Sequence, residues 1–216
     1  MCQQNGLMPI VEVEILPEGD HDLETAQRVT EQALAFLYRV LVDHNVLLEG
    51  TLLACSMVKA GRSCSTKYSS KDIAAATITA LSRTVPPAVP GIALLSGVQS
   101  EREATVNLDA INQYRDVVPW ALTFCFGRAL QSSALAKWSQ NPDDVTYAQE
   151  ELLRRAQVNS SASLGMYQTG RAPGTDGAAQ SPSDADGIYD EGDDGLVRRT
   201  GPCSACILRR MEEIVK

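Results

Sequence analysis

Glu12 and Glu14 stand two residues apart in the run MPIVEVEIL, so on a β-strand their carboxylates share one face. Paired carboxylates on an enclosed face are costly unless cations or protonation compensate them, and that is the setting of general acid–base chemistry. A solvated edge face is the competing reading. Ser96-Gly97 and Gly127-Arg128 end two later apolar runs. Glycine lets backbone N–H groups approach an anion, serine adds a hydroxyl and arginine a planar fork, so the set suits a sugar phosphate. Turn glycines beside a surface arginine are the alternative there. Cys203 and Cys206 form a CxxC that supplies only two ligands with nothing suitable following, and His21 and His44 read as structural or solvated. No metal site and no cofactor are expected.

The elements that must position these groups alternate. Four apolar runs, Leu7 to Leu16, Val46 to Cys55, Gly91 to Val98 and Pro119 to Gly127, are separated by helical segments, the pattern of parallel strands joined by crossover helices. Between the first two runs, Ala26, Val29, Ala33, Leu37, Val40, Leu41 and His44 recur at spacings of three and four and predict one buried helix face. Further helices are predicted over Ser70 to Thr84, with Asp72 in its first turn and Pro86-Pro87 beyond its end, over Ser100 to Tyr114, over Arg128 to Gln140 and over Asp144 to Met166. The expected organisation is a body at 1–166, a flexible Gly/Pro/Ser/Asp-rich tail at 167–205 and a short helix at 206–216.

The chain has 216 residues, 44% of them hydrophobic, and a net charge of −8. Without a cluster of Lys and Arg, that charge argues against a nucleic-acid partner. The N-terminus MCQQNGLMPIVEVEIL carries no positively charged leader and no run approaches the length needed to span a bilayer, so the reading is cytoplasmic with no membrane partner. In that compartment Cys2, Cys55, Cys64, Cys125, Cys203 and Cys206 are expected to stay thiols.

Four segments in order resemble animal-type class I fructose-bisphosphate aldolases. They are PIVEVEILPEGDHDLE at Pro9 to Glu24, LEGTLL at Leu48 to Leu53, RTVPPAVPGIALLSGVQS at Arg83 to Ser100 and PWALTFCFGRALQSSAL at Pro119 to Leu135. The resemblance covers most of 2–166. It implies an α/β fold of parallel β/α units, corresponding to strands five to eight of a (β/α)8 barrel, its C-terminal half. It implies reversible cleavage of fructose 1,6-bisphosphate to dihydroxyacetone phosphate and glyceraldehyde 3-phosphate in glycolysis, through an imine and without a metal or cofactor. Where the family has LLKPNMV this chain has Leu52-Leu53-Ala54-Cys55-Ser56-Met57-Val58, so Ala54 stands at the Schiff-base lysine position. An alanine has no amine to condense with a ketone.

By the same resemblance Glu12 is the proton-transfer residue and Glu14 its carboxylate partner. Ser96, Gly97, Val98, Cys125, Gly127 and Arg128 fall at the substrate phosphate, with Val98 replacing a glycine and Cys125 a serine, changes that should weaken affinity. Lys59 lies past the end of the strand and is a poor substitute amine, and Lys67 and Lys71 are more remote. The chain is therefore expected to be inactive alone. The alternative function is a non-catalytic interaction or oligomer-modulating protein. Expected partners are a weakly held sugar phosphate, a second copy or full-length aldolase and, by family analogy, the cytoskeleton.

Overall fold

Ser69 sets the start of one helix: its hydroxyl accepts from the Asp72 N–H while the Asp72 carboxylate accepts from the Ser69 N–H, a reciprocal cap that satisfies two helix-end donors. Similar local signals set the other helices. The computed structural model describes residues 1–167. Their element order is β1 (Ile10–Val13), α1 (Leu23–Asp43), β2 (Leu52–Ser56), α2 (Ser70–Thr84), β3 (Gly91–Leu95), α3 (Glu101–Asn112), β4 (Ala121–Cys125), α4 (Arg128–Gln140) and α5 (Val145–Ala162). Asp22, Ser100 and Asp144 cap α1, α3 and α5. The expected tail beyond Tyr167, the helix at 206–216 and the Cys203/Cys206 pair lie outside the described residues.

The strands form one parallel sheet in the order β1-β2-β3-β4. Crossovers of one hand in an unreversed order deliver their helices to one side. One face carries Leu53, Cys55, Ile92, Leu94, Leu122 and Phe124, which merge with Leu34 and Tyr38 of α1, Ile78 and Leu81 of α2, Leu108 and Ile111 of α3, Ala129 of α4 and Ala162 of α5 in a single core. Among the described residues the opposite face holds a small cluster made of strand residues, Leu52 and Ala93 with Cys125 against them. Parallel sheets are ordinarily covered on both faces or closed into barrels.

Two expectations shift. The strands are shorter than the apolar runs, with β1 four residues long and β2 to β4 five each. Several apolar residues of the runs, among them Leu7, Ile15, Leu16, Val98 and Phe126, lie outside the ladder. The buried face of α1 is Leu23, Ala26, Thr30, Leu34 and Tyr38. Of the predicted stripe only Ala26 belongs to it, Leu37 and Leu41 are partly buried and His44 is exposed. Thr30 can be buried because its hydroxyl donates to the Ala26 carbonyl at 2.8 Å, and Tyr38 buries its ring, so a count of aliphatic residues misplaces the stripe. The helices over Ser70–Thr84 and Arg128–Gln140 match their expected bounds.

Candidate functional site

The sheet register places the carboxylate position of β1 beside the alanine of β2. Glu12 pairs with Ala54, Ala54 with Ala93 and Ala93 with Thr123, and registered residues of parallel strands share a face. These four therefore form one lateral row on the face whose cluster, among the described residues, no helix joins. The next row toward the strand ends is Ser56, Leu95 and Cys125, and Glu14 follows just beyond β1. Glu12 and Glu14 are exposed and Ala54 is buried to 2%. No lysine occupies either row. Cys55, on the helix-covered face, is wholly buried, and burial pushes its thiol up to about 12, which keeps it protonated and unreactive.

At the strand ends the structure joins the two anion-binding candidates. The turn after β3 holds Gly97 at φ 54°, a conformation that favours glycine. The Arg128 Nη2 donates to the Gly97 carbonyl at 3.1 Å, so the arginine at the start of α4 reaches the β3 turn. Gly127 is the N-cap of α4 and brings no capping side chain, leaving first-turn N–H groups directed where an anion is favoured. Ser96 is buried, and the Val98 side chain is partly exposed beside Gly97. Thus Ser96, Gly97, Gly127 and Arg128 come together, Cys125 lies at the end of the adjoining strand, and Glu12, Glu14 and Ala54 stand on the open face.

Sequence reasoning missed the residue that shapes the β3 turn. Buried Gln99 donates from its side chain to the Ser96 carbonyl at 2.9 Å and accepts from Asn107 at 2.7 Å. Its only signal in the sequence is an amide beside a glycine turn. The loops after β1 and β2 are zipped in a similar way. Gly61 and Ser63 N–H groups donate to the His21 and Gly19 carbonyls, and Arg62 N–H donates to the Pro17 carbonyl, each at 2.9 Å. A Cβ on Gly61 would lie 2.3 Å from the Gly19 carbonyl oxygen. Lys59 is ion-paired to Glu103 on α3, Lys67 and Lys71 are exposed, and His44 closes the end of α1. Among the described residues no group of His, Cys, Asp and Glu is arranged to hold a metal, and no helix is long and apolar enough to cross a membrane.

A family model described as fructose-bisphosphate aldolase class-I matches residues 1–185. The chain is similar to the fructose-bisphosphate aldolase of Echinococcus multilocularis, 61% identical over 168 residues that make up 78% of this chain and 46% of that protein. It is 60% identical over 168 residues to that of Schistosoma mansoni, with the same coverage. It is 55% identical over 183 residues to human fructose-bisphosphate aldolase C, 85% of this chain and 50% of that one. A solved structure of the Plasmodium falciparum fructose-bisphosphate aldolase, in complex with TRAP and a small-molecule inhibitor, superposes with a TM-score of 0.75 at 49% identity, covering 77% of this chain and 48% of that chain. The chain spans about half the length of the curated relatives it matches.

Proposed function

Because this chain belongs to the class I fructose-bisphosphate aldolase family, we propose that it is a sugar-phosphate-binding member that does not form the family's imine. The family reaction cleaves fructose 1,6-bisphosphate reversibly to two triose phosphates in glycolysis, through a lysine imine that serves as electron sink. The observation that carries the reading is the registered pair Glu12 and Ala54. The carboxylate suited to proton transfer is present, and its neighbour on the adjoining strand has no side-chain nitrogen. Lys59 is held by Glu103, so it does not replace the amine. Binding is supported separately by the Gly97 turn, the Arg128 fork and the uncapped start of α4, which offer a phosphate hydrogen bonds and positive charge. Val98 and Cys125 stand where the family has glycine and serine and lower affinity.

A second reading, a non-catalytic partner of intact aldolase, is favoured by the sheet itself. Among the described residues β1 and β4 each have one unpaired side, and unpaired edges recruit strands. The test is borohydride trapping with dihydroxyacetone phosphate, read by intact mass and peptide mapping, with an intact class I aldolase as control. No adduct on this chain while the control reacts, together with phosphate-dependent amide shifts at Gly97 and Arg128, is the expected result. A single adduct on a defined lysine overturns the imine-deficient reading.

A further inference from the structure

We infer that Arg155 is a positioning residue for the anion-binding end: it fixes the first turn of α4 against the first turn of α3 without itself meeting the anion. This rests on the sugar-phosphate reading of that end. Arg155 comes from α5 and is 5% exposed. Its Nη2 lies 2.9 Å from the Ala129 carbonyl oxygen, 2.9 Å from that of Glu101 and 3.0 Å from the Thr105 hydroxyl. Ala129 follows Arg128 directly, and Glu101 opens the helix that follows the Ser96-to-Gln99 turn. One buried nitrogen therefore ties together the two segments that carry Arg128 and Gly97.

A buried guanidinium is tolerated only with a charge partner, and that partner makes the same connection. One Glu101 carboxylate oxygen lies 3.4 Å from Arg155 Nε, and the other accepts from the Ser133 N–H at 2.9 Å and hydroxyl at 3.0 Å on α4. Arg155 Nε makes no hydrogen bond, so the guanidinium is seated by its contacts to helix carbonyls and not by a bidentate grip on Glu101. Contacts of that kind hold backbone to backbone. Beneath the Arg128 bond to Gly97 at 3.1 Å, Arg155 and Glu101 together link the start of α3 to α4, and binding geometry is set by such supporting residues.

The experiment uses the full 216-residue chain, isotopically labelled and titrated with inorganic phosphate, as unsubstituted protein, Arg155→Met, Arg155→Lys and Lys137→Met. Lys137 is the control: its ion pair with Glu151, at 2.8 Å, links α4 to α5 but touches neither helix start. Arg155→Met is expected to weaken phosphate by about tenfold or more, Arg155→Lys by less, and Lys137→Met by under about twofold. Without phosphate, Arg155→Met is expected to shift the Gly97 and Ala129 amides and speed their hydrogen exchange, while Lys137→Met does not. Equal affinity of Arg155→Met and the unsubstituted chain, or an equal loss in Lys137→Met, overturns the assignment. If the unsubstituted chain does not bind phosphate, the sugar-phosphate reading fails. Positioning is then judged on the unliganded amides, and unchanged Gly97 and Ala129 in Arg155→Met overturn it.

Discussion

Ala54→Lys restores an amine to the row where Glu12 stands, and the structure fixes how that amine should titrate. Ala54 and Glu12 are registered partners on adjacent parallel strands, which lie about 4.8 Å apart. A flexible lysine stem can bring its ammonium within about 4 Å of the Glu12 carboxylate, where an effective dielectric near 20 gives roughly 4 kcal/mol. Glu12 is exposed, so solvent screening reduces the net interaction to about 1 kcal/mol. A neighbouring carboxylate favours the charged amine and raises its pKa, and about 1.4 kcal/mol corresponds to one pH unit. Only the neutral amine attacks a ketone.

The expected outcome has two parts. With dihydroxyacetone phosphate and borohydride, Ala54→Lys should gain a single adduct at residue 54, with a yield that rises with pH. Adding Glu12→Gln should move the midpoint of that rise down by up to about one pH unit. Intact mass at a series of pH values reads both. An adduct whose pH midpoint ignores Glu12→Gln would refute the claim that Glu12 and residue 54 act on one face. Absence of an adduct at every pH, with the chain folded, would refute the placement of substrate over this row.

Gly61→Ala should destabilise the chain by about 1–3 kcal/mol in urea unfolding, because its new methyl would meet the Gly19 carbonyl at 2.3 Å; a change under about 0.5 kcal/mol would show that the zipped loops yield freely. Ser69→Ala removes the reciprocal cap of α2 and should cost about 1 kcal/mol by the same assay, and an unchanged midpoint would mean that α2 is held by packing alone. Burial pushes the Glu151 carboxyl up, but bonds from Arg154, Lys137 and Ser133 outweigh it and hold the pKa at about 2 against an ordinary 4.5. The lowered folded-state pKa means that this contribution is complete above about pH 4.5 and is lost as pH falls toward about 2. With Lys137 and Arg154 partly exposed, the loss should be about 1–2 kcal/mol. Glu151→Gln should flatten that acid limb, and an unaltered pH dependence would sink the assignment.

The legible part of the fold is the part that local chemistry dictates. The Ser69 and Asp72 pair, Ser100 and Asp144 mark helix starts whatever lies around them. Strand ends are less legible, because Leu7, Leu16 and Val98 continue the apolar pattern outside the ladder, where composition cannot tell pairing from turning. Thr30 and Tyr38 hide the α1 face, Thr30 because its hydroxyl is bonded within its own helix and Tyr38 because its ring packs into the core. At the candidate site, residue types suggested Glu12, Gly97 and Arg128, but the register of Glu12 with Ala54 and the Arg128 bond to Gly97 are long-range facts. Arg155 was the least legible. It sits in a helix rich in Glu, Leu and Arg that reads as ordinary exposed surface, and only packing shows which arginine turns inward.

The sheet separates the two proposed sites physically. The proposed phosphate-binding groups sit on loops and helix starts, the Gly97 turn and the first turn of α4, which contact the covered side through Gln99, Glu101 and Arg155. The proposed imine position lies on the opposite face, in the row of Glu12, Ala54, Ala93 and Thr123, where among the described residues no helix adds a side chain to the cluster. A change at residue 54 therefore leaves untouched the contacts that shape the anion site, and loss of the amine does not entail loss of the phosphate grip. The open face also carries a structural demand that the phosphate end does not. Parallel strands exposed on one side are stabilised by whatever covers them, so occupancy of that face governs how far Glu12 is removed from water. The surroundings of Glu12 are thus set by the cover of the sheet, and those of the Gly97 turn and the α4 start by the loops and by Arg155.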